Sequence, residues 1–228
     1  MGTTADTMAP SATLEQTERT KLRRKRARGS FDRALADSVL DEALVAHVAT
    51  TTERGPIVLP MAHARIGDRL YVHGSPANRL LRTLATGAPA CVTVTLLDGL
   101  VLARSAFHHS MNYRSVVLFG SMEEVTDRVE KEAAAAALVE HLVPGRAGGT
   151  RPPTDAELDA TLVVRLVISE GSVKVRTGPP VDDEADLDSP AWAGHVPLVT
   201  GFGPPVPDPT GPPRRVPDHV SALSRPER

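Results

Sequence analysis

The sequence predicts a mainly β protein, an antiparallel barrel or sandwich with helices inserted between its strands. Three observations carry this. Roughly six or seven segments alternate apolar and polar residues with the period of a strand. They do not alternate regularly with helices, as a doubly wound parallel sheet would require. The long helix-forming run, DRVEKEAAAAALVEHL from Asp127 to Leu142, falls late and between strands.

Taken in order, Met1 to Glu18 is polar, small and aperiodic, which predicts an unstructured tail. From Asp32, the apolar residues Leu35, Val39, Leu40 and Ala43 share one face of a short amphipathic helix. Extended segments follow at Ala43 to Thr51, Ile57 to Arg65 and Arg69 to His73, separated by the turn sequences ERG and IGD. The stretch LYVHGSPANRLLRTLATG, Leu70 to Gly87, reads as a strand running into a helix. Ser75 is placed as N-cap, Pro76 as first helical residue and Gly87 just past the end. Ala90 to Arg104 alternates, with Val92, Val94 and Leu96 on one face and Cys91, Thr93 and Thr95 on the other, and Asp98-Gly99 reads as a turn within it. Ser115 to Phe119 is again a strand. Asp127 and Glu130 stand in capping-box spacing at the start of the long helix, which stops at Pro144-Gly145. Thr154 with Glu157 opens a shorter one. Leu162 to Ile168 and Ser172 to Arg176 form a late pair of strands. From Gly178 onward twelve prolines argue against an independent fold, although Trp192 to Leu198 can dock on the body. The expected organisation is a tail at 1–18, one domain at 19–198 and a proline-rich tail at 199–228.

Composition excludes several functions. One cysteine, Cys91, rules out an internal disulfide framework. No apolar stretch is long enough to span a bilayer and no signal peptide opens the chain, so the expected address is the cytosol and no membrane partner is foreseen. Net charge is −2 but unevenly spread, with seven basic residues in RTKLRRKRAR, Arg19 to Arg28, and five acids in DDEADLD, Asp182 to Asp188. With one Trp, two Tyr and four Phe, a stacking platform for single-stranded nucleic acid is poorly supplied, and no nucleic-acid partner is expected. The basic run then reads as a solvated segment or as a flap that meets a phosphorylated ligand. No G-x-S-x-G elbow, Walker loop, G-x-G-x-x-G, H-E-x-x-H or C-x-x-C is present, which removes the usual support for hydrolase, NTPase, dinucleotide-fold and thiol-redox functions.

Two regions can carry chemistry. At the strand-to-helix junction, Ser75 and Asn78 offer neutral donors. Arg79, a cation in a first turn that mildly disfavours it, makes sense if it grips a phosphate; otherwise it points into water. In LARSAFHHSMNYRSVVLFG, Leu102 to Gly120, adjacent histidines on a strand face opposite ways, so His108 and His109 do not readily share an ion, and no metal site is expected. Asn112, Arg114 and Ser115 form a mixed donor set at a strand entry, suited to a heteroaromatic ligand. Lys174 and Arg176 share a strand face, as surface charges or as a further anion contact.

These three stretches, LYVHGSPANRLLRTLATG, VTVTLLDGLVLARSAFHHSMNYRSVVLFG and SVKVRTGPPVDDEADLDSPAWAG, resemble in order the pyridoxamine 5′-phosphate oxidase-like flavin-binding split-barrel proteins. The resemblance is to the flavin-nucleotide-binding branch related to nitroimidazole-resistance proteins, over about Arg19 to Leu198. It implies a six-stranded antiparallel split β-barrel of Greek-key type and a homodimer holding flavin mononucleotide (FMN) between its subunits. The phosphate grip then falls on Ser75 to Arg79, with His73 and Gly74, and Pro60 and Met61 from the neighbouring strand, along the ribityl chain or ring. One of Asn112, Arg114 and Ser115 reaches the ring from the second subunit. The implied activity is an FMN-dependent oxidation or reduction of a small aromatic or heteroaromatic substrate. The chain lacks the family's Arg-Lys pair, having Arg79-Leu80, which argues against pyridoxamine phosphate as that substrate. A flavin carrier without turnover, or a haem protein using His63, His73, His108 or His109, is the alternative.

Overall fold

Two glycines in the left-handed backbone region, Gly55 at φ 100° and Gly67 at φ 60°, reverse the chain between its first three long strands, where the sequence places ERG and IGD. The computed structural model describes residues 11–210 and 212–223. Its elements run β1 (Gly29–Ser30), α1 (Arg33–Glu42), β2 (Val45–Thr52), β3 (Gly55–Ile66), β4 (Arg69–Gly74), α2 (Arg79–Ala85), β5 (Thr86–Leu102), β6 (Ser110–Glu124), α3 (Arg128–Leu142), α4 (Asp155–Asp159), β7 (Leu162–Val167), β8 (Glu170–Arg176), β9 (Gly194–Pro197) and α5 (Asp218–Ser221). All strand pairings between these elements are antiparallel. The order β6-β7-β4-β3-β2-β5 closes on itself through the β5–β6 pairing, giving the ring of six strands. β8 lies outside the ring on β6 and is flanked by β1, while β9 extends β5.

The alternating residues fill the ring as the sequence predicts. Ala46, Val48, Leu70, Val72, Val92, Val94, Val116, Leu118, Val164 and Leu166 are all buried in one core cluster. Helix α2 lies against β2, β3, β5, β6 and β7 and drives Leu80, Leu81 and Leu84 into that core. α1 adds Ala36, Val39 and Leu40, its N-terminus capped by Asp32, whose carboxylate accepts from the Leu35 amide at 2.8 Å. α3 begins as expected at Asp127, which accepts from Glu130 N. The Glu130 carboxylate does not complete a box. It instead accepts from Tyr71 Oη at 2.8 Å, from Arg69 at 3.2 Å and from Arg165. The Thr154–Glu157 box is complete.

Four expectations are corrected. Asp98-Gly99 is not a turn: β5 is one strand of 17 residues with a register shift between Leu97 and Gly99. Gly99 is needed there because a Cβ would lie 2.7 Å from the Val196 carbonyl oxygen of β9. Second, β7 and β8 are not partners, since β6 lies between them in the sheet. Third, the tail expected through Glu18 is ordered from Ser11 as far as the description reaches. Leu14 is buried in the core and its amide donates to Phe31 O, and Thr17 donates to Glu170. Met1 to Pro10 lies outside the described residues. Fourth, the basic run is partly engaged: Arg19 forks onto Glu170 and lies 4.7 Å over the Phe119 ring. Trp192 to Leu198 docks through β9, and within the described residues no helix is long and apolar enough to cross a membrane.

Candidate functional site

Ser75 to Arg79 occupy the junction between β4 and α2, and the junction is built differently from the sequence expectation. The helix starts three residues later, with Asn78 rather than Ser75 as its cap. Asn78 Oδ1 accepts from Leu80 N at 2.9 Å and from Leu81 N at 3.4 Å, while Ser75 Oγ accepts from Ala77 N at 3.1 Å and Ser75 O from Asn78 N at 2.8 Å. The physical reason is competition: Pro76 follows a serine that closes its own short turn, and the amide side chain two residues on satisfies two helix-start N–H groups at once. Arg79 becomes the first helical residue, exposed, with its guanidinium engaged by no hydrogen bond or ion pair among the described residues. Asn78→Ala is expected to lower stability by about 0.5–2 kcal/mol and Asn78→Asp to restore most of it, read as the urea midpoint.

His73 and Gly74 end β4, opposite Val163 and Leu162 of β7. A Cβ on Gly74 would meet Leu81 Cδ1 at 2.9 Å, so the junction is sealed against the helix it precedes. The His73 ring stands at the surface, yet the surrounding protein shields it enough to lower its pKa and favour the neutral imidazole. On β3, Pro60 is exposed, whereas Met61 packs half-buried against the core.

The second group, on β6, is more heavily committed. Asn112 is buried and its Oδ1 accepts from Arg176. The Arg114 guanidinium is forked onto Glu42 at 2.5 and 2.9 Å and also bonds Asp98 at 3.1 Å. Ser115 Oγ has only a long contact, 3.5 Å, to Lys174 O. No hydrogen bond or ion pair between described residues joins this group to Ser75–Arg79; the chain carries the two halves on separate strands.

Of the histidines, His63 is fully buried, its Nε2 donating to Leu40 O at 2.9 Å, and burial lowers its pKa to about 4. It has no open face for a ligand. His109 Nδ1 donates to Ser105 O at 2.9 Å, which turns Nε2 away from that contact and leaves it without a hydrogen-bond partner among the described residues. His108 Nε2 lies 3.1 Å from Asp183, and Asp183 and Asp186 come with it into a cluster whose ligand atoms fall within 4.8 Å of one another. That carboxylate neighbourhood comes from some 75 residues downstream, beyond any local spacing rule. Of the two readings the sequence leaves for Arg176, surface charge or anion contact, its burial removes the first. The residue is 6% exposed, and alternation on a strand could not show which face the rest of the chain covers.

The fold agrees with what the chain resembles. A flavocytochrome, Anf3 from Azotobacter vinelandii, is 40% identical with a TM-score of 0.86, the alignment covering 91% of this chain and 97% of that one. An FAD and haem binding protein from Mycobacterium smegmatis is 39% identical with a TM-score of 0.83, over 87% and 98% of the two chains. A candidate 5-nitroimidazole antibiotic resistance protein from Bacteroides thetaiotaomicron, at 23% identity, TM-score 0.54 and coverage of 63% and 84%, shares the fold. No curated protein matches the chain. Residues 32–175 match the sequence family described as pyridoxamine 5′-phosphate oxidase, and with the ring of six strands in place the chain belongs to that family.

Proposed function

We propose that the protein is a flavin-binding redox protein, working as a homodimer with the flavin between its subunits and passing electrons to or from a small aromatic or heteroaromatic molecule. The observation that carries this reading is the near-complete alignment, at 40% and 39% identity, with proteins named for flavin and haem. The residues fit a flavin phosphate: an exposed guanidinium without a protein partner on Arg79, the Ser75 hydroxyl and a neutral imidazole on His73 stand within one short segment. The resemblance in the sequence implies FMN. The Mycobacterium smegmatis protein favours FAD, and we adopt FAD as the flavin.

A bound flavin supplies the electron transfer itself; the chain binds, orients and tunes it. Arg79 neutralises phosphate charge. On β6, Arg114 is held by two carboxylates and Asn112 by Arg176, so the ring contact from the second subunit falls to Ser115. Arg79→Ala is expected to weaken flavin binding by about 1.5–3 kcal/mol, the range for a hydrogen bond to a charged group. Unchanged affinity by fluorescence titration removes Arg79 from the site.

A haem group beside the flavin is the second reading, favoured by the same two proteins. Its axial ligand would be His109, whose Nε2 is left free by the Ser105 carbonyl. The test is the absorption spectrum of the purified protein, with the chromophores released by heat and identified by mass. FAD with haem supports both readings, and FAD alone supports the first. Haem loss in His109→Ala with flavin retained assigns the ligand. A colourless protein that takes up no added flavin overturns the proposal.

A further inference from the structure

A cavity of about 360 Å³ opens where the 3₁₀ turn Arg26–Arg28 meets the end of β8, walled by Arg28, Val175, Arg176, Thr177, Pro179 and Val181 among others. No carboxylate lines it. Arg176 is nine-tenths buried, and its guanidinium is aimed by three neutral oxygens: Nη1 donates to Asn112 Oδ1 and to Gly178 O at 2.9 Å, and Nη2 to Pro179 O at 2.8 Å. Its Nε is buried with no partner. The Arg28 side chain makes no hydrogen bond or ion pair among the described residues. The nearby acids are committed elsewhere, Asp182 to Arg104 and Asp183 to His108.

Two cations are thus held at one cavity, one of them buried, with dipoles to orient the charge but no anion to balance it. Burial, and after it the Arg28 cation, push the Arg176 pKa down, which is the cost of this arrangement in the absence of an anion. A site that bears this cost and leaves a buried N–H unmet is complementary to a multiply charged anion, for which the guanidinium fork is the best side-chain partner.

We propose that Arg28 and Arg176 form a binding site for a phosphoryl group. Thr177 brings a hydroxyl to the same wall, and Arg24, Lys25 and Arg26 immediately before Arg28 add positive potential that draws anions toward the mouth. The basic run is then the flap over a phosphorylated ligand. The phosphoryl group belongs either to a separate phosphorylated small molecule or to the diphosphate of a flavin dinucleotide. The site is carried on different elements from Ser75–Arg79, and its existence does not depend on flavin being bound there.

Inorganic pyrophosphate is titrated calorimetrically into the protein as purified and into protein saturated with FMN, for the native chain and for Arg28→Ala and Arg176→Lys. Arg28→Ala removes a half-buried cation that makes no hydrogen bond or ion pair among the described residues, so it remains informative if Arg176→Lys is unstable. The expected result is one pyrophosphate per chain, bound at least tenfold more weakly by Arg28→Ala, with affinity falling as salt rises. Retention of that binding beside FMN assigns the site to a separate ligand. Competition between pyrophosphate and FAD, with the FAD-over-FMN preference lost in Arg28→Ala, assigns it to the dinucleotide. Absence of pyrophosphate binding at millimolar concentration, or equal binding by Arg28→Ala, overturns the proposal, while the Arg79→Ala titration reports separately on the flavin site.

Discussion

Leu81→Ala is expected to lower the unfolding free energy by about 2–5 kcal/mol, the range for truncating a fully buried leucine. Leu81 is wholly inaccessible, belongs to the central cluster and sits in the helix that packs against five strands of the ring. The surrounding strands are tied to one another by continuous ladders and cannot collapse into the space, which places the loss toward the upper part of the range. For a chain of this size each kcal/mol moves the melting temperature by about 2–4 °C, so a drop on the order of 10 °C is expected. Leu81 also seats against Gly74, where a Cβ would stand only 2.9 Å from its Cδ1, so the same change loosens the junction that presents Ser75 and Arg79. A thermal melt followed by circular dichroism decides it. A shift below about 2 °C would mean that α2 does not plug the barrel.

The second large effect is with pH. His63 is buried between β3, the end of α1 and α3, its ring 4.9 Å from that of His141, which itself contacts Ala43 O. Burial is the main cause of its depressed pKa. The Leu40 carbonyl and Asp41 oppose the shift, and His141 adds to it. With the folded value at about 4 and the unfolded one near the ordinary 6.5, the unfolded chain binds the proton first as pH falls. The contribution is therefore complete above about pH 6.5 and is lost progressively down to pH 4, for a total of about 3 kcal/mol. Between pH 7.5 and 5, above the range where most carboxylates titrate, a loss of about 2 kcal/mol is expected in urea-derived stability. His73, also shifted down, contributes with the same sign. His63→Gln keeps a donor for Leu40 O but cannot titrate, so its stability should depend less steeply on pH. An unchanged slope in that variant would assign the pH dependence elsewhere.

What could be read from the sequence was what neighbours in the chain decide. The Asp127 and Thr154 caps, the glycine turns and the inward alternation of Val92, Val94 and Leu96 are set within a few residues, and all stand where the pattern places them. What could not be read depends on residues far away. Asp98-Gly99 has turn chemistry, yet it became a bulge because β9, a hundred residues later, runs against it. Ser75 and Asn78 are both good caps; Ser75 closes its own turn onto Ala77, and Asn78 takes the helix start by meeting the Leu80 and Leu81 amides. Arg176 looked like a surface charge because strand alternation names a face without saying what covers it; the 178–179 carbonyls and Asn112 do. The His108 cluster likewise needs Asp183 and Asp186 brought back from the acidic run.

The length of β5 leaves one more thing to be settled by the proline-rich end of the chain. β2 pairs with β5 only from Ala90 to Thr93, and β5 runs on to Leu102. A strand that outgrows its ring offers a row of open amides and carbonyls to any passing chain, the template on which sheets add to one another without limit. His195 and Val196 occupy that row opposite Val101 and Leu100, and Leu198 N closes onto Asp98 O just past it. The short docking segment before the proline-rich tail thus covers the part of β5 that the ring leaves open.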